Sequence, residues 1–125
     1  MENKIVLTQG KVLVGTEVFN VTYYDNPTSR SLVAQMPFTV ELEDYAGIEK
    51  IFYPKESLSK EGAPKGADPS VGDIMYYAPW GDVAIFYKDF SYANGLIPLG
   101  YFDDIAGFMN ALKTHTSTVT FEKSN

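Results

Sequence analysis

A mainly β chain, closed into a small barrel with two short helices over its ends, is the fold this sequence predicts. Short alternating or wholly apolar runs, punctuated by Gly and Pro, recur from one end of the chain to the other. One adjacent pair of runs is apolar on both faces, so it must be covered on two sides. Only two stretches carry the three-to-four-residue spacing of a helix. At 125 residues the chain has the length of one domain, enough to bury about two thirds of its unfolded surface without a covalent staple. Neither a repeat nor a composition break divides it, so residues 1–125 read as a single domain, with residues 1–10 as an extra strand or a tail.

The elements follow in order. "KIVLT", "KVLV" and "EVFNVTYY" are β-rich runs broken by Gly. In the last, Val18, Asn20, Thr22 and Tyr24 share one face, and Phe19, Val21 and Tyr23 the other. The "GT" between Val14 and Glu17 is a tight hairpin turn. "DNPTSRSLVAQMP" then changes to helix: Asn26 is a good cap, and Pro27 suits a first position where its missing N–H costs nothing. Leu32, Val33 and Met36 form its stripe, and Pro37 ends it. Phe38, Val40 and Leu42 alternate with Thr39, Glu41 and Glu43 as a half-buried strand. A turn at Tyr45–Gly47 leads into a strand from Ile48 to Tyr53, halted by Pro54. "KESLSKEGAPKGADPSVG" is the longest irregular segment, and its composition predicts mobility.

Strands Asp73–Tyr77 and Val83–Lys88, joined by "APWGD", are the two-sided pair. Ile74 and Tyr76 oppose Met75 and Tyr77; Val83, Ile85 and Tyr87 oppose Ala84 and Phe86. "GLIPLGYFDD" gives one more short strand. "DDIAGFMNALK" is the second helix, capped by Asp103 or Asp104, with Ile105, Phe108, Met109 and Leu112 as its stripe despite an interior Gly107. "STVTFEK" closes the chain as a strand, expected to pair with the N-terminal one.

Composition excludes several function classes. Without Cys there is no disulfide, thiolate nucleophile or Cys-ligated metal. Ten Lys and Arg against sixteen Asp and Glu give a net charge of −6, which argues against nucleic acid and anionic membrane surfaces as partners. No apolar run approaches the ~20 residues of a membrane span. The opening "MENKIVLTQGK" lacks the apolar core of a signal peptide, so a cytoplasmic location is expected, an exported form with a trimmed leader being the alternative.

Catalytic patterns are missing. The lone His115 lies in a polar "KTHTST", and no Gly-x-Ser-x-Gly accompanies it. Asp103 and Asp104 read as helix caps rather than metal ligands, and "EGAPKGADPSVGD" lacks the spacing of a phosphate loop. No catalytic residue, metal site or cofactor is therefore assigned. The aromatics are more suggestive: nine Tyr, eight Phe and one Trp, the polar-tipped ones well suited to a site wall. Candidate ligand-binding residues are Tyr53, Tyr77, Trp80, Phe86 and Tyr87, although Phe86 and one of Tyr76 or Tyr77 also read as core. Trp80 lies in a turn, where it either folds back over the barrel edge or stands at a groove. Arg30, the chain's one guanidinium, joins the candidates as a possible partner for a carboxylate or carbonyl.

Taken together, "YYDNPTSRSL", "MPFTVEL", "FYPKESL", "GDIMYYAPWGDVAIFYKDF" and "LGYFDDIAGFMNAL" resemble the bacterial and archaeal cyclophilin-like domain family, from about Lys11 to Glu122. The resemblance implies a closed β-barrel with a helix at each open end, and most members of that family have no assigned activity. True cyclophilins, which are peptidyl-prolyl isomerases, share a Phe-His-Arg strand and a Gln-Gly-Gly-Asp segment, and neither occurs here. Their chemistry needs a guanidinium beside the prolyl nitrogen to weaken a bond whose rotation barrier is ~18–20 kcal/mol. The expectation is thus a non-catalytic binding module that recognises a peptide or small ligand in an aromatic groove. A weak or divergent prolyl isomerase using Arg30 is the alternative, and an accessory partner of another enzyme is a third reading. Monomer and homodimer both remain open.

Overall fold

The computed structural model describes residues 5–124. Its elements run β1 (Val6–Val14), β2 (Glu17–Tyr24), α1 (Pro27–Val33), β3 (Phe38–Glu41), β4 (Glu43–Tyr45), β5 (Glu49–Phe52), β6 (Gly66–Ala67), β7 (Asp73–Tyr77), β8 (Asp82–Phe86), β9 (Ala93–Asn94), β10 (Leu96–Phe102), α2 (Ile105–Thr114) and β11 (Thr118–Lys123). Nine of the strands form one antiparallel sheet in the order β3-β11-β1-β2-β10-β7-β8-β5-β4; β6 and β9 form a separate ribbon.

The edge strands β3 and β4 are consecutive in the chain, separated by Leu42 alone. One bent run therefore joins the two edges and rolls the sheet into a nearly closed barrel. Leu42 leaves the ladder at the bend, and its N–H donates to the Ser117 carbonyl at 2.8 Å. Side chains complete what backbone pairing does not. Phe38 of β3, Phe52 of β5 and Phe121 of β11 meet with ring centroids 5.1 to 5.6 Å apart, bridging the seam from both sides. The first two N-terminal runs are one strand, β1, which pairs with both β2 and β11, so the terminal strands do meet. Residues 6–10 of the N-terminal extension belong to β1, whereas 1–4 lie outside the described residues.

The two faces of β7 and β8 separate as their alternation requires. Ile74, Tyr76, Val83 and Ile85 point into the barrel core with Val12, Val21, Leu99 and Phe121. Met75, Ala84 and Phe86 point outward into a second apolar cluster with Ile51, Ala67 and Leu96. The β6–β9 ribbon covers that outer cluster through Ala67 and Ala93. Three strands differ in their bounds from the sequence reading: β5 is Glu49–Phe52 rather than Ile48–Tyr53, β8 starts at Asp82 and stops at Phe86, and β10 is a seven-residue strand rather than a short one. A register shift between Pro98 and Gly100 lets β10 reach β7 and β2 together.

Both helices are capped as their sequences suggest. The Asn26 side-chain oxygen accepts from the Ser29 N–H at 2.7 Å. In α2 it is Asp104 that caps, accepting from the Gly107 N–H at 2.9 Å. A Cβ on Gly107 would come within 2.3 Å of the Asp104 carboxylate, which accounts for a glycine inside the helix. Phe108 seals α2 onto the barrel between Phe102 and Phe19. Polar anchors hold α1, unseen in its apolar stripe: the Ser29 hydroxyl donates to the Leu99 carbonyl at 2.8 Å and the Asn26 amide to Pro98 at 3.0 Å. The segment expected to be mobile is tied down as well. Leu58 is buried, the Thr28 hydroxyl donates to the Ser59 carbonyl at 2.6 Å, and the Gln35 side chain brackets the Glu56 backbone. Among the described residues no helix is long and apolar enough to cross a membrane.

Candidate functional site

On the outer face of β5, β7 and β8, the covering ribbon stops short and leaves a cleft of about 260 Å³. It is lined by the buried Phe86 and Leu96, by Ala93, and by the rings of Phe90, Tyr45, Tyr77 and Trp80. Trp80 comes from the turn between β7 and β8, where its N–H donates to the Tyr77 carbonyl at 3.2 Å. Its ring stands edge-on between Tyr45, 5.3 Å away at 81°, and Tyr77, 5.3 Å away at 77°. Despite these two neighbours it is 51% exposed. Of the two positions open to Trp80 in the sequence, over the barrel edge or at a groove, the ring lies against its two tyrosine neighbours and lines the cleft.

The turn that carries Trp80 rests on Gly95. This residue has φ +91°, and a Cβ there would lie 2.7 Å from the Pro79 ring. The Gly95 carbonyl also accepts from the Ala78 N–H at 3.0 Å. Without a side chain at 95 the Pro79–Trp80 corner can lie against the start of β10, and that seating aims Trp80 across the cleft.

Two carboxylates share this face. Glu49 lines the cleft, its strand partner on β4 being Tyr45 and on β8 Phe86. Burial, with the charges of Asp82 and Asp44 adding to it, pushes its carboxyl up to about 7. Asp82 is 1% exposed, and its Oδ1 has no hydrogen-bond partner. Burial pushes its carboxyl up too, against a weaker opposing contact from its own backbone N–H. Neither acid was singled out in the sequence, although the signal was there. Glu49 is in step with Ile51, and Asp82 with Ala84 and Phe86, so strand parity alone places both on the outer face.

The Glu49 carboxyl has a consequence for stability. Between its ordinary 4.5 and about 7 the folded chain holds a proton that the unfolded chain has released. Stability therefore falls as pH rises through that window and stays at the lower level above it. Because water still reaches part of this carboxyl, the effect is about 1–2 kcal/mol. Urea unfolding at pH 8 should find Glu49→Gln more stable than the wild type by that amount, and at pH 4 the two should be nearly equal. A variant equally stable with the wild type at both pH values would remove the claim.

The sequence candidates do not form a single site. Tyr77, Trp80 and Phe86 meet in the cleft. Tyr53 is exposed and lines a different hollow, between Pro37–Val40 and Pro54–Ser57. Tyr87 borders a third depression beside Met109 and Lys113 of α2. There its hydroxyl donates to the Asp44 carboxylate, and the Lys50 ammonium lies 5.9 Å from its ring centroid and 3.4 Å from Asp44. Burial first, and Asp44 second, push that phenol up to about 12; the same hydroxyl is the largest influence holding Asp44 down. Arg30 pairs with Asp25 on the outside of α1, in a hollow it shares with Leu7, Val33 and Lys123. His115 meets Glu17 at 2.9 Å, a tie between the end of α2 and the β1–β2 hairpin. No group of three or more His, Asp and Glu among the described residues is placed to hold a metal ion.

The sequence profile of the Cyclophilin-like family matches residues 12–122, nearly the whole chain. The chain belongs to the cyclophilin-like family. A solved structure supports the same fold for this cyclophilin-like domain: the hypothetical protein AF2241 from Archaeoglobus fulgidus, determined in solution, superposes with a TM-score of 0.67. It is 17% identical, and the match covers 99% of this chain and 100% of that one. No curated protein matches the chain.

Proposed function

We propose that this cyclophilin-like domain is a non-catalytic binding module that takes a peptide side chain or small ligand in the outer aromatic cleft. The observation that carries the reading is Trp80, a large aromatic held half-exposed between two tyrosines over an apolar floor. A Trp folded over a barrel merely to fill space would bury more of itself. At about 260 Å³ the cleft is smaller than a typical drug-sized pocket, so the ligand, or the part of it that enters, is small.

The prolyl-isomerase reading gains little support. Arg30 is spent on Asp25 and lies outside the aromatic cleft, so no guanidinium of this chain lines the groove that a prolyl ring would enter.

Fragment titration followed by amide NMR tests the binding reading. Shifts are expected to cluster at Tyr45, Tyr77, Trp80 and Leu96. Shifts scattered over the surface, or confined to the hollow beside Tyr53, would overturn it.

A further inference from the structure

The cleft beside Trp80 combines aromatic walls with a carboxylate, Glu49, on its lining and a second, Asp82, buried on the same face. We propose that it recognises an organic ammonium group, with Tyr45, Tyr77 and Trp80 as walls and Glu49 as the counter-charge, backed by the buried Asp82 on the same face of the sheet. This rests on the reading of the cleft as a ligand site and names the chemistry of what enters it.

Three features converge. First, Trp80 meets Tyr45 and Tyr77 at close to right angles, and all three rings line the same cleft. A cluster of electron-rich rings bordering one cleft offers π-density to a cation, and alkylated and primary ammonium groups are drawn to it. Second, a carboxylate lines the same cleft. Glu49 sits between Tyr45 and Phe86 in the strand register and makes no ion pair among the described residues. Third, Asp82 is almost wholly buried, stands on the Phe86 side of β8 and has an oxygen without a donor. Its charge is felt at Glu49. A buried carboxylate lacking a donor is costly to the fold. A ligand that brings N–H donors and a positive charge to Glu49 would also offset, through space, the charge of Asp82 behind it.

Other occupants fit less well. A divalent metal needs a cage of several oxygens, whereas these walls are aromatic and apolar and hold no three-ligand cluster. An anion would face two acids on a chain of net charge −6. That same charge draws cations toward the surface from a distance.

The test uses the intact chain and three ammonium probes: butylammonium, tetramethylammonium and the Nα-acetyl amide of lysine. Butanol and butyrate are the neutral and anionic controls. Trp80, the chain's one tryptophan, reports by fluorescence, and amide NMR locates the shifts. Ammonium probes should move the signals of Tyr77, Trp80 and Leu96, with butanol binding at least about tenfold more weakly and butyrate not at all. Glu49→Gln should weaken the ammonium probes about tenfold or more and leave butanol unchanged; Asp82→Asn, read separately, should also weaken them. Stronger binding of the lysine derivative than of butylammonium would mark a peptide side chain as the source, and the reverse a free amine; either supports an ammonium ligand. If butanol or butyrate binds as tightly as butylammonium, or Glu49→Gln binds it unchanged, the ammonium assignment falls while the cleft remains a binding site. If neither these probes nor neutral aromatic fragments shift the cleft residues, both readings fall.

Discussion

Gly100→Ala is expected to cost about 3–4 kcal/mol, a drop in midpoint temperature of roughly 12–16 °C for a domain of this size. Gly100 lies on β10 opposite Tyr23 of β2, just past the irregularity that lets β10 serve two neighbours. A Cβ there would stand 2.0 Å from the Thr22 carbonyl oxygen and 3.0 Å from the Tyr23 Cα. These are backbone atoms in the middle of the barrel wall, so no flexible side chain can move aside, and relief requires β2 and β10 to separate. Gly47→Ala is the control. Its φ of +67° is strained for alanine, yet nothing lies within 4 Å, so about 1 kcal/mol is expected. Equal losses for the two variants in thermal or urea unfolding would show that backbone conformation, rather than the approach of β2, governs Gly100.

Phe121→Ala should cost about 3–5 kcal/mol for a second reason. Phe121 is fully buried, with ring centroids 5.1 Å from both Phe38 and Phe52. These three rings carry the contact between the β3 side and the β5 side of the seam, where backbone pairing is absent. The variant should therefore lose more than stability. Amide exchange of β3 and β4 should quicken more than that of β7 and β8, whose ladders are intact on both sides. Uniform quickening across the sheet would mean that the seam is not a separate point of weakness.

Much of the architecture was legible because strand parity and helix caps are local. The alternation of Ile74 and Tyr76 against Met75 and Tyr77 separated two clusters that the structure indeed separates. Asn26 and the Asp103–Asp104 pair announced their helices, because a capping side-chain oxygen reaches only a few residues forward, and it is Asp104 that caps. What was not legible depends on partners far apart in sequence. Bending at Leu42 follows from Ser117, and the seating of the Trp80 turn from Gly95. The loop after β5 looks mobile by composition, but its anchors come from Thr28, Gln35 and Tyr76 in other elements. Which aromatics share a cleft depends on the β5–β8 register, which pairs Glu49 with Phe86. Hence Tyr53 and Tyr87, promising by type, stand in different hollows, while strand parity places Glu49 and Asp82 on the outer face but only the assembled sheet brings Glu49 beside the aromatics.

The most direct measurement is a crystal of this domain soaked with a cocktail of small fragments that includes primary amines. Fragment density should lie against Trp80 and Tyr77 above Leu96, with any amine nitrogen turned toward Glu49. Density found repeatedly in the hollow beside Tyr53 or at Arg30, with the Trp80 cleft empty and unobstructed by neighbouring molecules, would contradict the account.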